Sequence, residues 1–441
     1  MAMSHPPDHP PSPTPAPSGE TGARLAPSRT VLANGVVITA RETRKTPAVT
    51  INLAMNAGTV CDPVGGAGAT FLLSRLVDRG TVRHTADELA EALETRGISL
   101  SIGVNRHQLS IVCTCLAEDF EAVFAVLGEI LMEPSVPEHE LVIRKGEVLT
   151  ALAQDEDSPY VKALLELMVL LYGTDHPYGR PAKGTVASIE GLARAQLLEL
   201  HRAFFVPSAL SAVVVGDVAP AQVVDVAARV LGGWRATKPT ALPLASPQPA
   251  QARRRLVVPM MNKSQADVAY GFTTIMRSDP SYYACSLMNN ILGQYAMGGR
   301  LGDSIRERQG MAYYVSSGFD ASLIEGPLMI RAGVAPGNVD RAIASIDEEL
   351  TRMCRDGVTE RELTESRQYM IGAMPRALET NAGIANFLQN AEFFGLGLDY
   401  DVRIREYLAA VSLDDVHAAA RRLLDPGRAA IVIAGPYHET A

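Results

Sequence analysis

Few side chains in this 441-residue sequence stand at spacings that chemistry uses. His84 and Glu88 lie one helical turn apart and could be two metal ligands. The same stretch, Thr85-Ala86-Asp87-Glu88, also reads as a capping box with Thr85 as N-cap, and that accounts for the carboxylate without a metal. Cys113 and Cys115 share one face of an alternating run, but no second cysteine pair completes a thiolate site, so both read as small buried hydrophobes. Asp175 and His176 could form an acid–base pair, yet they sit in a turn rich in Gly and Pro. Gly293 to Gly302, which contains Gly298-Gly299, lacks the Gly-Lys-Ser/Thr of a phosphate loop and reads as a mobile glycine loop. Histidines three to five residues apart occur only as His5 and His9, in a proline-rich beginning.

The elements that would position these groups repeat. Asn34-Gly35 is a turn pair before the strand Val36 to Thr39, Ala48 to Met55 is a second β-rich run, and Ser99 to Cys115 reads as a strand pair. Asp119 to Met132 and about Pro137 to Asp155 read as helices. The half closes with a helix from Ser188 to Phe204, then Pro207, then the strand Ala212 to Val215 ending at Gly216. Near the C-terminus, a helix from Ser412 to Leu424 leads to Pro426, the strand Ala430 to Ile433 and Gly435, with the same nine-residue step from proline to glycine. Asp340 to Met353 with the capping box Thr359 to Glu362 repeats Asp119 to Met132 with Ser135 to Glu138. The ordered repetition predicts an α+β chain of two similar domains, each a mostly antiparallel sheet packed with helices, closing like a clam-shell. The expected divisions are a flexible Pro-rich tail over 1–28, a first domain over 29–235, an extended linker over 236–255 and a second domain over 256–441.

Composition narrows the function classes. Lys and Arg number 40 against 49 Asp and Glu, a formal charge of -9 with no basic block for a phosphate backbone, so nucleic acid is not expected. The uncharged stretch Phe204 to Gly216 is short of the ~20 apolar residues that span a bilayer. Five unpaired-looking cysteines fit a reducing compartment, and the first 28 residues hold seven prolines between Pro6 and Pro17 and no apolar signal core. A cytoplasmic protein without a membrane partner is the expectation.

Gly68-Ala69-Thr70-Phe71-Leu72-Leu73-Ser74-Arg75-Leu76-Val77-Asp78-Arg79-Gly80-Thr81 is similar to the glycine-bounded helix of the pitrilysin-type zinc peptidases, the group of mitochondrial processing peptidase and insulin-degrading enzyme. Asn56-Ala57-Gly58-Thr59, His176-Pro177-Tyr178-Gly179-Arg180-Pro181 with Gly184, and Gly216-Asp217 follow in that family's order, so the resemblance covers about 29 to 441. In active relatives the helix carries H-x-x-E-H, two zinc ligands and a general base. The corresponding positions here are Phe71, Ser74 and Arg75, and the third ligand position, about 76 residues on, is Ala151. None of the four side chains can hold zinc or act as base at neutral pH, and a guanidinium repels a dication.

Gly298-Gly299-Arg300-Leu301 leads into Ile305-Arg306-Glu307-Arg308-Gln309-Gly310-Met311-Ala312-Tyr313, which resembles the family's arginine and tyrosine pair, seven residues apart. In relatives that pair reaches the substrate near the scissile peptide. Arg306 would donate to carbonyl oxygens and Tyr313 would steady an oxyanion, from the inner wall of a cleft between the halves. Without the resemblance they read as a surface Arg on a helix and a Tyr at the start of a strand. The resemblance implies a chain without its own cofactor, inactive alone, that pairs with a homologous H-x-x-E-H subunit carrying the zinc and acts on unfolded peptides. The alternative it implies is a non-catalytic scaffold or peptide-binding homologue.

Overall fold

The computed structural model describes residues 24–235, 244–294 and 299–438. The first sheet contains β1 (Ser28–Val31), β2 (Val37–Glu42), β3 (Ala48–Met55), β4 (Ser101–Val104), β5 (Leu109–Leu116) and β6 (Leu210–Gly216), in the order β1-β2-β6-β3-β5-β4. The second contains β7 (Arg254–Pro259), β8 (Ala266–Thr273), β9 (Ala312–Phe319), β10 (Pro327–Val334) and β11 (Ala430–Gly435), in the order β7-β11-β8-β10-β9. Apart from the extra hairpin strand β1, the two sheets share one topology. The last strand of each half runs parallel to its first neighbour and antiparallel to its second, β6 between β2 and β3, β11 between β7 and β8.

The repeated proline-to-glycine step has a backbone cause. Gly216 and Gly435 both have positive φ, 153° and 141°. A Cβ on Gly216 would stand 2.2 Å from the Ala48 carbonyl oxygen, and one on Gly435 would stand 2.6 Å from the Ala266 Cα. Ala48 and Ala266 open the equivalent strands β3 and β8, so the same close approach recurs in both halves.

Each sheet has its own helices on one face and a helix from the other half on the opposite face. The helix Pro159–Tyr172 of the first half crosses β8 and β11, and its counterpart Asn381–Phe393 of the second half crosses β6 and β3. The central strands are therefore buried on both faces and read as near-continuous apolar runs. In β6, Ala212 and Val214 belong to the core of the first half, whereas Val213 and Val215 pack with Ile384, Ala385 and Leu388 of the crossing helix. In the second sheet Ala430, Val432 and Ala434 join the first core, beside Leu167 and Leu171, while Ile431 and Ile433 join the second.

Four expectations are corrected. The packed chain begins before residue 28: Leu25 is buried in the cluster under the crossing helix, and its N–H donates to Asp401 Oδ2 at 2.7 Å. Residues 1–23 of the expected tail, and 236–243 of the expected linker, lie outside the described residues. The linker's last residues are already strand, since β7 starts at Arg254, and Ala245 accepts from His176 Nε2 at 3.0 Å. The helix expected from Ser188 to Phe204 is two helices, Val186–Gly191 and Arg194–Phe204. Leu192 and Ala193 are extended between them, and Gln196 Oε1 takes the Ala193 N–H to start the second. Ser135 does not cap a helix as Thr359 does; Glu138–Glu156 starts after Pro137 without a side-chain cap.

Gly271 on β8 lets the crossing helix approach: a Cβ there would stand 3.0 Å from Leu167 Cδ2 and 3.0 Å from the Leu328 carbonyl. Gly271→Val is expected to destabilise the fold by about 1–3 kcal/mol through overpacking. Gly233→Ala, where an added Cβ meets nothing within 4 Å, is expected to leave the denaturant midpoint close to that of the parent chain.

Candidate functional site

The glycine-bounded segment folds as a short helix, Ala69–Ser74, followed by turns to Gly80. Buried Asp62 caps its start, accepting from the Gly68 and Thr70 N–H groups at 2.7 Å each and from Thr70 Oγ1 at 2.6 Å. The helix, with Arg75 as its C-cap, packs against Glu138–Glu156, which carries Ala151. The residues at the four positions that the resemblance assigns to the zinc site do not fit a metal. The Phe71 ring packs against the first core, Ser74 is buried with its hydroxyl donating to the Phe71 carbonyl at 2.7 Å, Arg75 is exposed, and Ala151 offers no donor. Among the described residues no group of three His, Cys, Asp or Glu side chains could hold a metal ion.

Arg306 and Tyr313 are held by a tight reversal. Leu301 and Ile305, both fully buried, anchor the π-helical turn Gly302–Arg308, and Gly310, at φ 60°, ends it. The Gly310 N–H donates to the Arg306 carbonyl at 3.0 Å and the Met311 N–H to the Ile305 carbonyl at 3.1 Å. Ala312 then pairs with Val334 and Tyr314 with Gly333, which leaves Tyr313 as the extra residue of a β-bulge on edge strand β9. A bulge breaks the alternation and re-aims one side chain. Tyr313 is 83% exposed, and its hydroxyl makes no hydrogen bond among the described residues. The Arg306 side chain is 46% exposed, with its Nε 3.7 Å from Glu307. Both side chains are therefore exposed, Arg306 on the turn and Tyr313 on the edge strand. The expected mobile glycine loop is partly packed, as a Cβ on Gly299 would stand 2.8 Å from the Gly293 Cα; residues 295–298, Gly298 included, lie outside the described residues.

The remaining sequence candidates are occupied by structural contacts. Glu88 accepts from the Thr85 N–H at 2.8 Å, closing the capping box, while His84 Nδ1 turns to Glu129 at 2.9 Å. His176 Nδ1 accepts from the Tyr178 N–H at 3.0 Å and its Nε2 meets the Ala245 carbonyl, so both ring nitrogens are committed and the Asp175–His176 pairing is not formed. Burial pushes the Cys113 thiol up to about 12 and the Cys115 thiol up to about 11, as expected of thiols acting as small hydrophobes.

At the junction of the halves is a polar cluster that the sequence reading did not find. Arg106, on the turn between β4 and β5, pairs with Asp320 at 3.1 Å and lies over the Tyr178 ring at 4.9 Å. His107 Nε2 meets the Tyr178 hydroxyl at 2.6 Å. Burial, with Arg106 adding to it, lowers the His107 pKa to about 4. The partners are 71 residues apart for His107 and 214 for Arg106, so no local spacing announces them.

Two family models cover most of this architecture. The model described as "Insulinase (Peptidase family M16)" matches residues 37–184, and "Peptidase M16 inactive domain" matches residues 191–370. The chain belongs to peptidase family M16. The seam between the M16 models falls before β6, so the match to the inactive domain begins within the first structural half. Among M16 relatives, an uncharacterized zinc protease of Mycobacterium tuberculosis is 24% identical over 95% of each chain. The uncharacterized zinc protease YmxG of Bacillus subtilis is 26% identical over 88% of this chain and 94% of that one. The non-peptidase homolog YmxG of Helicobacter pylori is 24% identical over 83% and 84%. A solved peptidase M16 inactive domain from Pseudomonas fluorescens superposes with TM-score 0.88 at 25% identity, covering 95% of this chain and 99% of that chain.

Two outcomes follow. Protein purified without chelator is expected to contain well under ~0.1 zinc per chain, since the M16 zinc positions supply no ligand; one zinc per chain by elemental analysis would overturn the reading of Phe71, Arg75 and Ala151. For His107, the folded chain binds its proton only near pH 4, whereas the unfolded chain binds it from the ordinary value of 6.5. Its contribution is complete above pH 6.5 and is lost as pH falls toward 4, by up to roughly 3 kcal/mol. Stability of His107→Gln, measured by urea unfolding, is expected to fall less over that window than stability of the parent chain.

Proposed function

We propose that this chain is the non-zinc subunit of a heterodimeric M16 metallopeptidase that cleaves unfolded peptides. The observation that carries this reading is Tyr313: a bulge holds its phenol at 83% exposure on an edge strand, with no internal partner for the hydroxyl among the described residues. A surface phenol held in this way can donate to a group brought by another molecule, and the unpaired edge of β9 offers backbone groups to an extended peptide. Arg306, on the preceding turn, would take carbonyl oxygens of the same peptide, and Tyr313 would donate to the oxyanion that develops at the scissile carbonyl. The homologous H-x-x-E-H partner would supply zinc, base and water; this chain, with Phe71, Ser74, Arg75 and Ala151 in those places, would be inactive alone. No helix among the described residues is long and apolar enough to cross a membrane, which suits a peptidase subunit working in the cytoplasm.

A scaffold or peptide-binding role without catalysis is the second reading. It is supported by the core-packed zinc positions and by the Helicobacter pylori relative named a non-peptidase homolog.

Kinetics of the reconstituted pair separate the two. Tyr313→Phe is expected to lower turnover by roughly 10- to 1000-fold, the span of one lost oxyanion donor, with zinc content and assembly unchanged. Arg306→Ala is expected to raise KM more than it lowers kcat, if its contacts are equal in ground and transition states. Full activity of the double variant in an intact heterodimer would leave the scaffold reading standing.

A further inference from the structure

The junction between the halves holds an open pocket of about 420 Å³, within the size range of small-molecule sites. The β4–β5 turn lines it from the first half; Arg277, Tyr282, Phe319, Phe394 and Tyr400 line it from the second. Arg277 is 9% exposed. Its guanidinium lies 3.6 Å above the Tyr282 ring, and its Nη2 donates to the Tyr400 hydroxyl at 2.9 Å. No carboxylate forms an ion pair with it among the described residues. Asp279, two residues on, is taken by Arg422, whose Nη2 is 2.9 Å away, and Asp320, on the cavity wall, by Arg106 at 3.1 Å.

We propose that this cavity binds a carboxylate carried on an apolar or aromatic body, with Arg277 as the receptor for the charge. A guanidinium is always ionised and carries five donors, of which one is used here. A cation buried without a counter-charge is stabilised when an anion joins it. The Tyr400 hydroxyl accepts from Arg277 and, at 3.3 Å, from the Tyr283 hydroxyl, which leaves its own proton free to donate into the cavity. Charge decides for a monoanion. Arg106 is neutralised by Asp320 and His107 is uncharged at neutral pH, so Arg277 supplies one net positive charge. The rings of Tyr282, Phe319 and Phe394 suit the body of an organic acid better than a phosphate dianion. The free C-terminus of a peptide and a free aromatic acid share this chemistry. The cavity is lined by neither Arg306 nor Tyr313, so the proposal stands or falls apart from the peptidase reading.

Calorimetric titration of the full chain tests it with four probes: N-acetylphenylalanine, its uncharged amide, phenylacetate and inorganic phosphate. The acid is expected to bind roughly 10- to 100-fold more tightly than the amide, the span of a charged hydrogen bond. Arg277→Gln is expected to abolish that preference, and Tyr400→Phe, a gentler change, to reduce it several-fold while the circular dichroism spectrum stays the same. N-acetylphenylalanine tighter than phenylacetate would support a peptide terminus as the ligand, and the reverse order would support a free acid. Equal binding of acid and amide, undiminished preference in Tyr400→Phe, or phosphate binding tighter than both acids would overturn the proposal.

Discussion

The exchange of crossing helices is the constraint on which the rest of the molecule depends. Pro159–Tyr172 covers the second sheet and Asn381–Phe393 covers the first, so neither half completes its core without the other. A sheet with one face open would expose Val213 and Val215 on one side and Val432 and Ala434 on the other, all fully buried here. The exchange closes the two halves of the clam-shell firmly against each other.

The positions Phe71 and Ser74 and the Arg306–Tyr313 segment differ in opposite senses. Phe71 and Ser74 have been absorbed into packing, one as a ring on the core and the other as a hydroxyl bonded to its own helix. Each is satisfied locally and asks nothing of a ligand. Tyr313 is the reverse case, a large aromatic side chain kept in water by a bulge when the alternation of an ordinary strand would have assigned it a face. An exposed aromatic held in place by backbone irregularity is the kind of feature found beside functional sites, and the proposed division of labour rests on it.

Much of the fold was legible because its signals are local. Proline-to-glycine steps, capping boxes at Thr85 and Thr359, and apolar runs in β6 and β11 are written within a few residues, and the duplication follows from their order. The missing H-x-x-E-H is legible for the same reason, since Phe71, Ser74 and Arg75 can be counted back from Gly80-Thr81. What the sequence hid is set by long-range contacts. The crossing helices look like any amphipathic helix until the opposite sheet is present. Arg277 gives no sign of burial, as the hydroxyl that meets it lies 123 residues away. The bulge at Tyr313 was missed because it depends on the register with β10, which no single strand encodes.

The central proposal is that the β9 edge with Tyr313, and not the helix carrying Phe71, meets a peptide when an H-x-x-E-H partner is bound. A photoreactive phenylalanine placed at position 313 in one preparation and at position 71 in another, each combined with an H-x-x-E-H partner and a peptide substrate and then irradiated, tests it directly. The account predicts covalent adducts between position 313 and the peptide, with none from position 71. Adducts from position 71 alone, or no peptide adduct from position 313 in an intact complex, would contradict it.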